Sequence, residues 1–536
     1  MPRLRIDSVE VEVPPGATVL EAARTLGIDI PTLCHLDGCA PNTSCLVCIV
    51  RVNGGKRLVP SCATPAADGM VVESETDQIR DARRTALELL LADHAGDCLA
   101  PCTNVCPAHM DIPRMIRQIE AGRLRDAIVT VKTHIALPAV LGRICPDLCE
   151  SGCRRKQKDS PVSICRLKRH VADEDLASPE PYLPPKLQDS GKSVAIVGAG
   201  PTGLACAWYL LQRGHRVAIF DRHAKPGGTL RSLPDDLLPK DVLDAEISLI
   251  EKLGAAFHVS IAVGPEHPLD KLRSQYDALL LATGEMTPAK ATQLGVELAG
   301  KGIKTNKPTM MTATPGVFAA GSAVTPLKHA IRACAEGRAA AAVLDRYLGG
   351  HKAQIDSHPW TVRLGVLSEP EFAALSAGSP DTLRNAAPVP HNFSAHEARE
   401  ESNRCLRCDC AKLNDCRLRE ESVRYDASPS RFKVDRRPYE RTTAHPAVTY
   451  EAGKCIACGL CVQIAERSRE TLGLTFVGRG FTVRVAAPFG AELSDALKHV
   501  AKECAAACPT AALTVNASRH QSSWSCRQPF VKPDDD

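Results

Sequence analysis

The chain has 536 residues, a formal net charge of +4, 44% hydrophobic residues and 24 cysteines. That length implies several domains, the small charge gives no case for nucleic-acid binding, and no apolar run reaches the ~18 residues of a membrane helix. Disulfide scaffolds are usually short secreted chains, and this one opens MPRLRIDSVEVEV, without a charged-then-apolar leader.

The first residues alternate as two short strands, Leu4 and Ile6, then Val9, Val11 and Val13, with Asp7-Ser8 as the turn. A helical pattern follows over Val19–Leu26. Four cysteines come next: Cys34, Cys45, Cys48 and the late Cys62. A Cys-rich loop leaving a small sheet, with a distant fourth Cys, is how plant-type 2Fe–2S clusters are held, whereas zinc ligands usually come as two close pairs. Order and spacing resemble the 2Fe–2S domain that begins the large iron–sulfur subunit of complex I and of Fe-only hydrogenases. The resemblance implies a β-grasp ferredoxin domain over 1–78, with Cys39 a spare.

Residues 79–178 read as helical, with apolar positions at Ile112, Met115, Ile116, Ile119, Ala127 and Ile128. Cysteines stand at 98, 102 and 106, in Cys145-Pro146-Asp147-Leu148-Cys149, and at 153 and 165. This stretch resembles the N-terminal iron–sulfur domain of the glutamate synthase small subunit and of dihydropyrimidine dehydrogenase. The resemblance implies two interleaved 4Fe–4S clusters, one on Cys98, Cys102 and Cys153, the other on Cys106, Cys145 and Cys149. For the second, the family places a Gln where this chain has Lys168, and an ammonium cannot ligate iron. Cys165, one helical turn earlier on the same side, is assigned as the replacement. For the first, His94 stands in a His-x3-Cys spacing, as the complex I subunit begins its histidine-ligated cluster. His94 is assigned as the fourth ligand, against the plainer reading of a solvated residue past a helix end.

Over 190–350, the strand Ser193–Val197 runs into Gly198-Ala199-Gly200-Pro201-Thr202-Gly203, then a helix, then a second strand ending at Asp221. This is a dinucleotide fingerprint in strand–turn–helix–strand context, with Asp221 placed for the adenosine ribose. Three later motifs contain Gly227 and Gly228, Thr283 and Gly284, and Gly321 and Ser322. They resemble the FAD half of the glutamate synthase small subunit, which implies FAD. The last motif normally ends in Asp; Ser322 can hydrogen-bond but carries no charge. In that family a second Rossmann domain for NADPH lies between the last two motifs. Here only 285–315 separates them, without a second glycine fingerprint. Cys206 and Cys334 have apolar neighbours and read as core.

Residues 178–191 and 351–400 are polar and Pro-bearing and read as linkers. In 401–536, Cys405, Cys408, Cys410 and Cys416 form one 4Fe–4S set, with zinc the alternative. Cys455, Cys458 and Cys461 open a ferredoxin motif that Cys508 completes; Cys504 looks like a remnant, and Cys526 is unassigned. Gly478-Arg479-Gly480-Phe481 also resembles the ferredoxin-like region of the complex I large subunit.

The fold class expected is multidomain α+β and α/β: a β-grasp 2Fe–2S domain, a helical two-cluster domain, a Rossmann-like FAD domain and a ferredoxin-like C-terminal domain. The expected cofactors are FAD, one 2Fe–2S and about four 4Fe–4S clusters. The chain then reads as a cytoplasmic electron-transfer subunit that links an NAD(P)H-oxidising flavoprotein subunit to ferredoxin or to a terminal reductase or dehydrogenase subunit. Open alternatives are a stand-alone flavin enzyme acting on a small organic substrate, an electron-bifurcating subunit, and a non-enzymatic assembly scaffold. No general acid–base pair or nucleophile stands out.

Overall fold

The computed structural model describes residues 1–355, 359–384, 392–432 and 435–516; Cys526 lies outside them. The chain divides into two units, one of residues 1–99, 360–377 and 408 onward, the other of 100–359 and 378–407.

The first unit begins with a mixed five-stranded sheet, in spatial order Val9–Glu12, Arg3–Ile6, Val71–Glu73, Ile49–Val52, Leu58–Pro60. Its opening hairpin turns at Asp7 and Ser8, both at positive φ, as a two-residue hairpin loop requires. The helix Val19–Thr25 starts at a capping box of Thr18 and Glu21 and packs Val19, Leu20, Ala22 and Ala23 on the sheet. This is the β-grasp arrangement expected.

The long helix Asp77–Ala92 packs within this unit. The cause is a buried guanidinium. Arg83 donates to the Ile49 carbonyl at 2.9 Å and to the Tyr425 hydroxyl at 2.8 Å, tying the helix to both chain halves. The rest of the unit pairs Val448–Tyr450 with Leu513–Val515 and Thr475–Val477 with Arg484–Ala486, beside the helices Leu460–Arg467 and Ala501–Ala507.

The stretch 351–400 is not a linker in its described parts. It contains the helix Glu369–Ser376, whose Glu371 carboxylate is gripped by Arg436, and a buried Phe393 under the Arg166 guanidinium. Its polar, Pro-bearing composition hid these anchors. By contrast, 179–192 has no helix or strand.

The second unit joins a helical part to a Rossmann-like sheet. The helices Ile112–Glu120, Leu124–His134, Pro138–Ile144 and Ile164–Ala177 bury one continuous apolar core with the sheet. Among the described residues no single helix is long and apolar enough to cross a membrane. The sheet is parallel throughout, in order Val317–Ala319, Ala278–Leu281, Ser193–Val197, Arg216–Phe220, Ala256–His258. Between the second and third expected flavin motifs stand only the helix Pro288–Leu294 and a two-residue hairpin, Leu298–Ala299 with Gly302–Ile303.

The two parts are stitched by Glu246. Its buried carboxylate accepts from the Ala139 and Val140 amides, both at 2.9 Å, at the start of Pro138–Ile144. Burial raises its pKa to about 7. An unfolded Glu releases its proton near 4.3, so between there and 7 the folded chain binds more protons than the unfolded one. Stability from this group therefore falls as pH rises through that window and is flat above it. In chemical denaturation, the stability gap between Glu246→Gln and the parent should change between pH 5 and 7 and stay constant from 7.5 to 9.

Candidate cluster and nucleotide sites

The four N-terminal cysteines form two tight pairs. The Cys34 and Cys45 sulfurs are 3.3 Å apart, and those of Cys48 and Cys62 are 3.4 Å apart, all buried. Contact with its partner thiol depresses one member of each pair, Cys34 to about 5 and Cys48 to about 7. Among the described residues only Asp147, Glu150 and Cys165 bring three candidate ligand atoms within 4.8 Å of one another. The four sulfurs are thus paired two by two, which suits two irons with two terminal thiolates each rather than one tetrahedral ion. Cys39 is outside both pairs and half-buried.

In the second unit, Cys106, Cys145, Cys149 and Cys165 line one small cavity with Met110, Ile112, Ile135 and Lys168. Each thiol comes from a different local device. Cys106 ends the short helix Pro101–Val105, Cys145 ends Pro138–Ile144, Cys149 lies in Leu148–Ser151 and Cys165 in the first turn of Ile164–Ala177. The Lys168 ammonium stands 3.7 Å from the Cys165 sulfur. The structure brings together the four residues that the sequence grouped.

The other expected set divides. Cys102 and Cys153 lie in the second unit; His94 and Cys98 lie in the first. Cys102 and Cys153 come together because Gly152 packs on the Pro101 carbonyl, where a Cβ would be 2.8 Å away. Cys405 also lies in the second unit and packs against the same core. Its segment is held by Arg155, which donates to the Arg404 carbonyl at 3.2 Å, and by Arg404, which donates to the Ser160 carbonyl at 2.8 Å. Cys408, Cys410 and Cys416 lie in the first unit.

His94 follows the long helix of the first unit. Its Nδ1 is buried without a hydrogen-bond partner, and burial lowers its pKa to about 3, keeping the imidazole neutral. The Cys98 carbonyl accepts from the Cys410 amide at 3.2 Å. Burial, then the neighbouring Cys410 sulfur, push the Cys98 thiol up to about 11. Burial, then Cys410, raise Cys416 as well.

Cys455, Cys458, Cys461 and Cys508 line a small cavity with Tyr450, Val485 and Leu513. Cys504 is buried with its sulfur on the Cys461 carbonyl, away from that lining. All 23 cysteines of the described residues are free thiols, so nothing here builds a disulfide scaffold.

The glycine loop is preformed. Gly198 sits at φ 111°, where a Cβ would be 2.3 Å from the Ala282 carbonyl, and a Cβ on Gly203 would be 2.0 Å from the Gly198 carbonyl. At Gly200 a Cβ would meet nothing within 4 Å, at the N-terminus of the helix Pro201–Gln212. Open space in front of a helix N-terminus fits a pyrophosphate. Asp221 accepts from the Ala199 amide at 2.7 Å and the His223 amide at 2.8 Å, so its carboxylate braces the loop. Gly228 packs on Gly200, and beside it Gly227 caps a short 3-10 turn. Thr283 donates to the Met286 sulfur at 3.3 Å and Gly284 sits at positive φ. Ser322 accepts from the Leu327 amide at 3.2 Å. Sequence reasoning missed Glu336, whose carboxylate takes the Gly321 amide at 2.7 Å; its position in the helix Ala330–Leu348 gives no local signal.

Comparison with known proteins places domain boundaries near residue 77 and residue 179. Residues 2–77 match a 2Fe–2S iron–sulfur cluster binding domain, 76–179 match dihydropyrimidine dehydrogenase domain II with its 4Fe–4S cluster, and 196–259 match an NAD(P)-binding Rossmann-like domain. This is a modular iron–sulfur protein with a Rossmann-like domain. The NADP(+)-dependent formate dehydrogenase subunit beta of Moorella thermoacetica is 38% identical over 207 residues, 34% of this chain and 29% of that one. The NADPH-Fe(3+) oxidoreductase subunit beta of Geobacter sulfurreducens is 37% identical over 209 residues, 38% of this chain and 30% of that one. The NAD-dependent dihydropyrimidine dehydrogenase subunit PreT of Escherichia coli K12 is 39% identical over 203 residues, 37% and 49% of the two chains. The alignments thus span less than half of each relative's own length.

Proposed function

We propose that this chain is an FAD-containing iron–sulfur electron-transfer subunit of a multi-subunit oxidoreductase. The observation that carries the reading is the helix Ala330–Leu348. Its Ile331 lines the four-cysteine cavity, its Glu336 holds the Gly321 amide, and between them the Cys334 sulfur reaches the Pro201 carbonyl of the glycine loop at 3.8 Å. One helix therefore touches both the nucleotide loop and a cluster cavity, as electron exchange between them requires. A bound flavin supplies exchange of electron pairs for the single electrons that clusters carry.

FAD is favoured over a nicotinamide by the three later motifs, all of which are built around the same loop. Gly200 and Pro201 would face its pyrophosphate, and Gly321 and Ser322 its far end. The short 285–315 segment supports an outside source of electrons: an NAD(P)H-oxidising partner subunit, with ferredoxin or a terminal subunit as acceptor, in the cytoplasm. The test is an anaerobic spectral titration of the cluster-reconstituted chain with NADH, NADPH and reduced ferredoxin in turn. Bleaching by ferredoxin but by neither nucleotide supports the reading. Rapid bleaching by NADH or NADPH alone overturns it in favour of a self-sufficient reductase.

A further inference from the structure

We propose that His94, Cys98, Cys410 and Cys416 together hold one 4Fe–4S cluster, a site assembled from two segments distant in sequence. The inference rests on reading the cysteines as cluster ligands and regroups two of the sets the spacing suggests.

The geometry begins with the backbone. The segment after the helix Asp77–Ala92 is pinned by Ala95 N–H to the Gly453 carbonyl at 2.8 Å and by the Leu364 N–H to the Asp97 carboxylate at 2.8 Å. Cys98 N–H donates to the Val362 carbonyl at 3.3 Å, and the Cys98 carbonyl takes the Cys410 amide at 3.2 Å. The two cysteines are thus placed by a direct main-chain bond, not by a side-chain accident. Cys98 is buried in an apolar cluster with Leu87, Leu91 and Leu418, and Cys416 packs on the same cluster. Cys416 is held by the start of the helix Arg417–Arg424, where the Leu418 amide donates to the Pro509 carbonyl at 3.2 Å.

The second observation is the imidazole. His94 Nε2 lies 3.5 Å from where a Cβ on Gly96 would be, and Nδ1 is buried with no partner. A buried ring nitrogen left unbonded costs free energy unless a ligand takes it. The Lys454 side chain packs on the same glycine, with its Cε 2.8 Å from that Cβ position. A buried imidazole nitrogen without a hydrogen-bond partner is available to an iron of a cluster.

The regrouping also explains the second unit. With Cys98 withdrawn, Cys102 and Cys153 are joined by Cys405 on the Arg155–Arg404 frame.

The test is iron content and low-temperature EPR of the anaerobically reduced full chain with Cys98→Ser, Cys410→Ser and Cys405→Ser, plus His94→Cys as a conservative variant. The expected result is that Cys98→Ser and Cys410→Ser remove one and the same signal, and Cys405→Ser a different one. His94→Cys keeps its iron but lowers that signal's midpoint potential, since an imidazole ligand raises it. Loss of the same signal in Cys405→Ser and Cys410→Ser, or a His94→Cys potential unchanged from the parent, overturns the grouping while the cluster reading stands. Zinc in place of reducible iron overturns both.

Discussion

Gly203→Val is expected to weaken binding of the proposed flavin about a hundredfold and to leave the 2Fe–2S signal of the first unit unchanged. A Cβ at this position would lie 2.0 Å from the Gly198 carbonyl and 3.1 Å from Ile196 Cγ2. The loop cannot retreat, because the Gly198 amide is bonded to the Phe220 carbonyl at 2.8 Å and the Ala199 amide to Asp221 at 2.7 Å. Overpacking of this kind costs about 3 kcal/mol, and if that strain falls on the binding-competent loop, FAD affinity drops about a hundredfold. Gly200→Ala is the informative companion. Its Cβ meets nothing in the protein, so the flavin-free chain should melt as the parent does while FAD binding weakens. Absorbance of bound flavin and a melting curve for each variant check both statements. A parent-like flavin content in Gly203→Val removes the glycine loop as the site.

How much of this was legible beforehand follows from the range over which each signal acts. The β-grasp hairpin was readable because Asp7-Ser8 sits between alternating apolar residues, and strand alternation and turn chemistry are local. The glycine loop was readable for the same reason: Gly198, Gly200 and Gly203 are constrained by one another and by the strand they follow. The cysteine set of 106, 145, 149 and 165 was readable because its members fall in one compact helical module. His94 and Cys98 were grouped with Cys102 and Cys153 on the resemblance to two iron–sulfur families. The main-chain bond from Cys410 to Cys98 is encoded by no local pattern. The bond from Arg83 to Tyr425 likewise joins residues far apart in the chain, and no local pattern encodes it. Glu246 and Glu336 are a related case. A carboxylate that caps distant backbone amides has the sequence context of any surface glutamate on a helix. Asp221 was placed correctly at the end of its strand, but its oxygens are engaged by the loop's own amides, a use that strand position alone does not reveal.

Cys165→Ala loses the cluster of the cavity lined by Cys106, Cys145 and Cys149, and adding Lys168→Gln to that variant restores it. Cys165 and Lys168 stand one helical turn apart in Ile164–Ala177, and both line the cavity. The Lys168 ammonium is 3.7 Å from the Cys165 sulfur, so a side chain of similar reach at 168 arrives where that thiolate acts. An ammonium has three donors and no lone pair to give iron, whereas a glutamine carbonyl oxygen has two. In the related iron–sulfur domains that the sequence resembles, a glutamine stands at this place. With Cys165 assigned as the fourth ligand, a cation stands at the position where that family places its glutamine. That cation has its own consequence. The Lys168 pKa is raised by the surrounding thiols, Cys165 foremost, against the opposing effect of burial. It therefore stays charged and stabilises the more negative, reduced cluster. Lys168→Met alone should keep the iron and lower the midpoint potential of this one cluster. Iron content falls by a whole 4Fe–4S complement in Cys165→Ala, returns in the double variant, and is unchanged in Lys168→Met. If the double variant stays as iron-poor as Cys165→Ala, the two positions do not address the same iron.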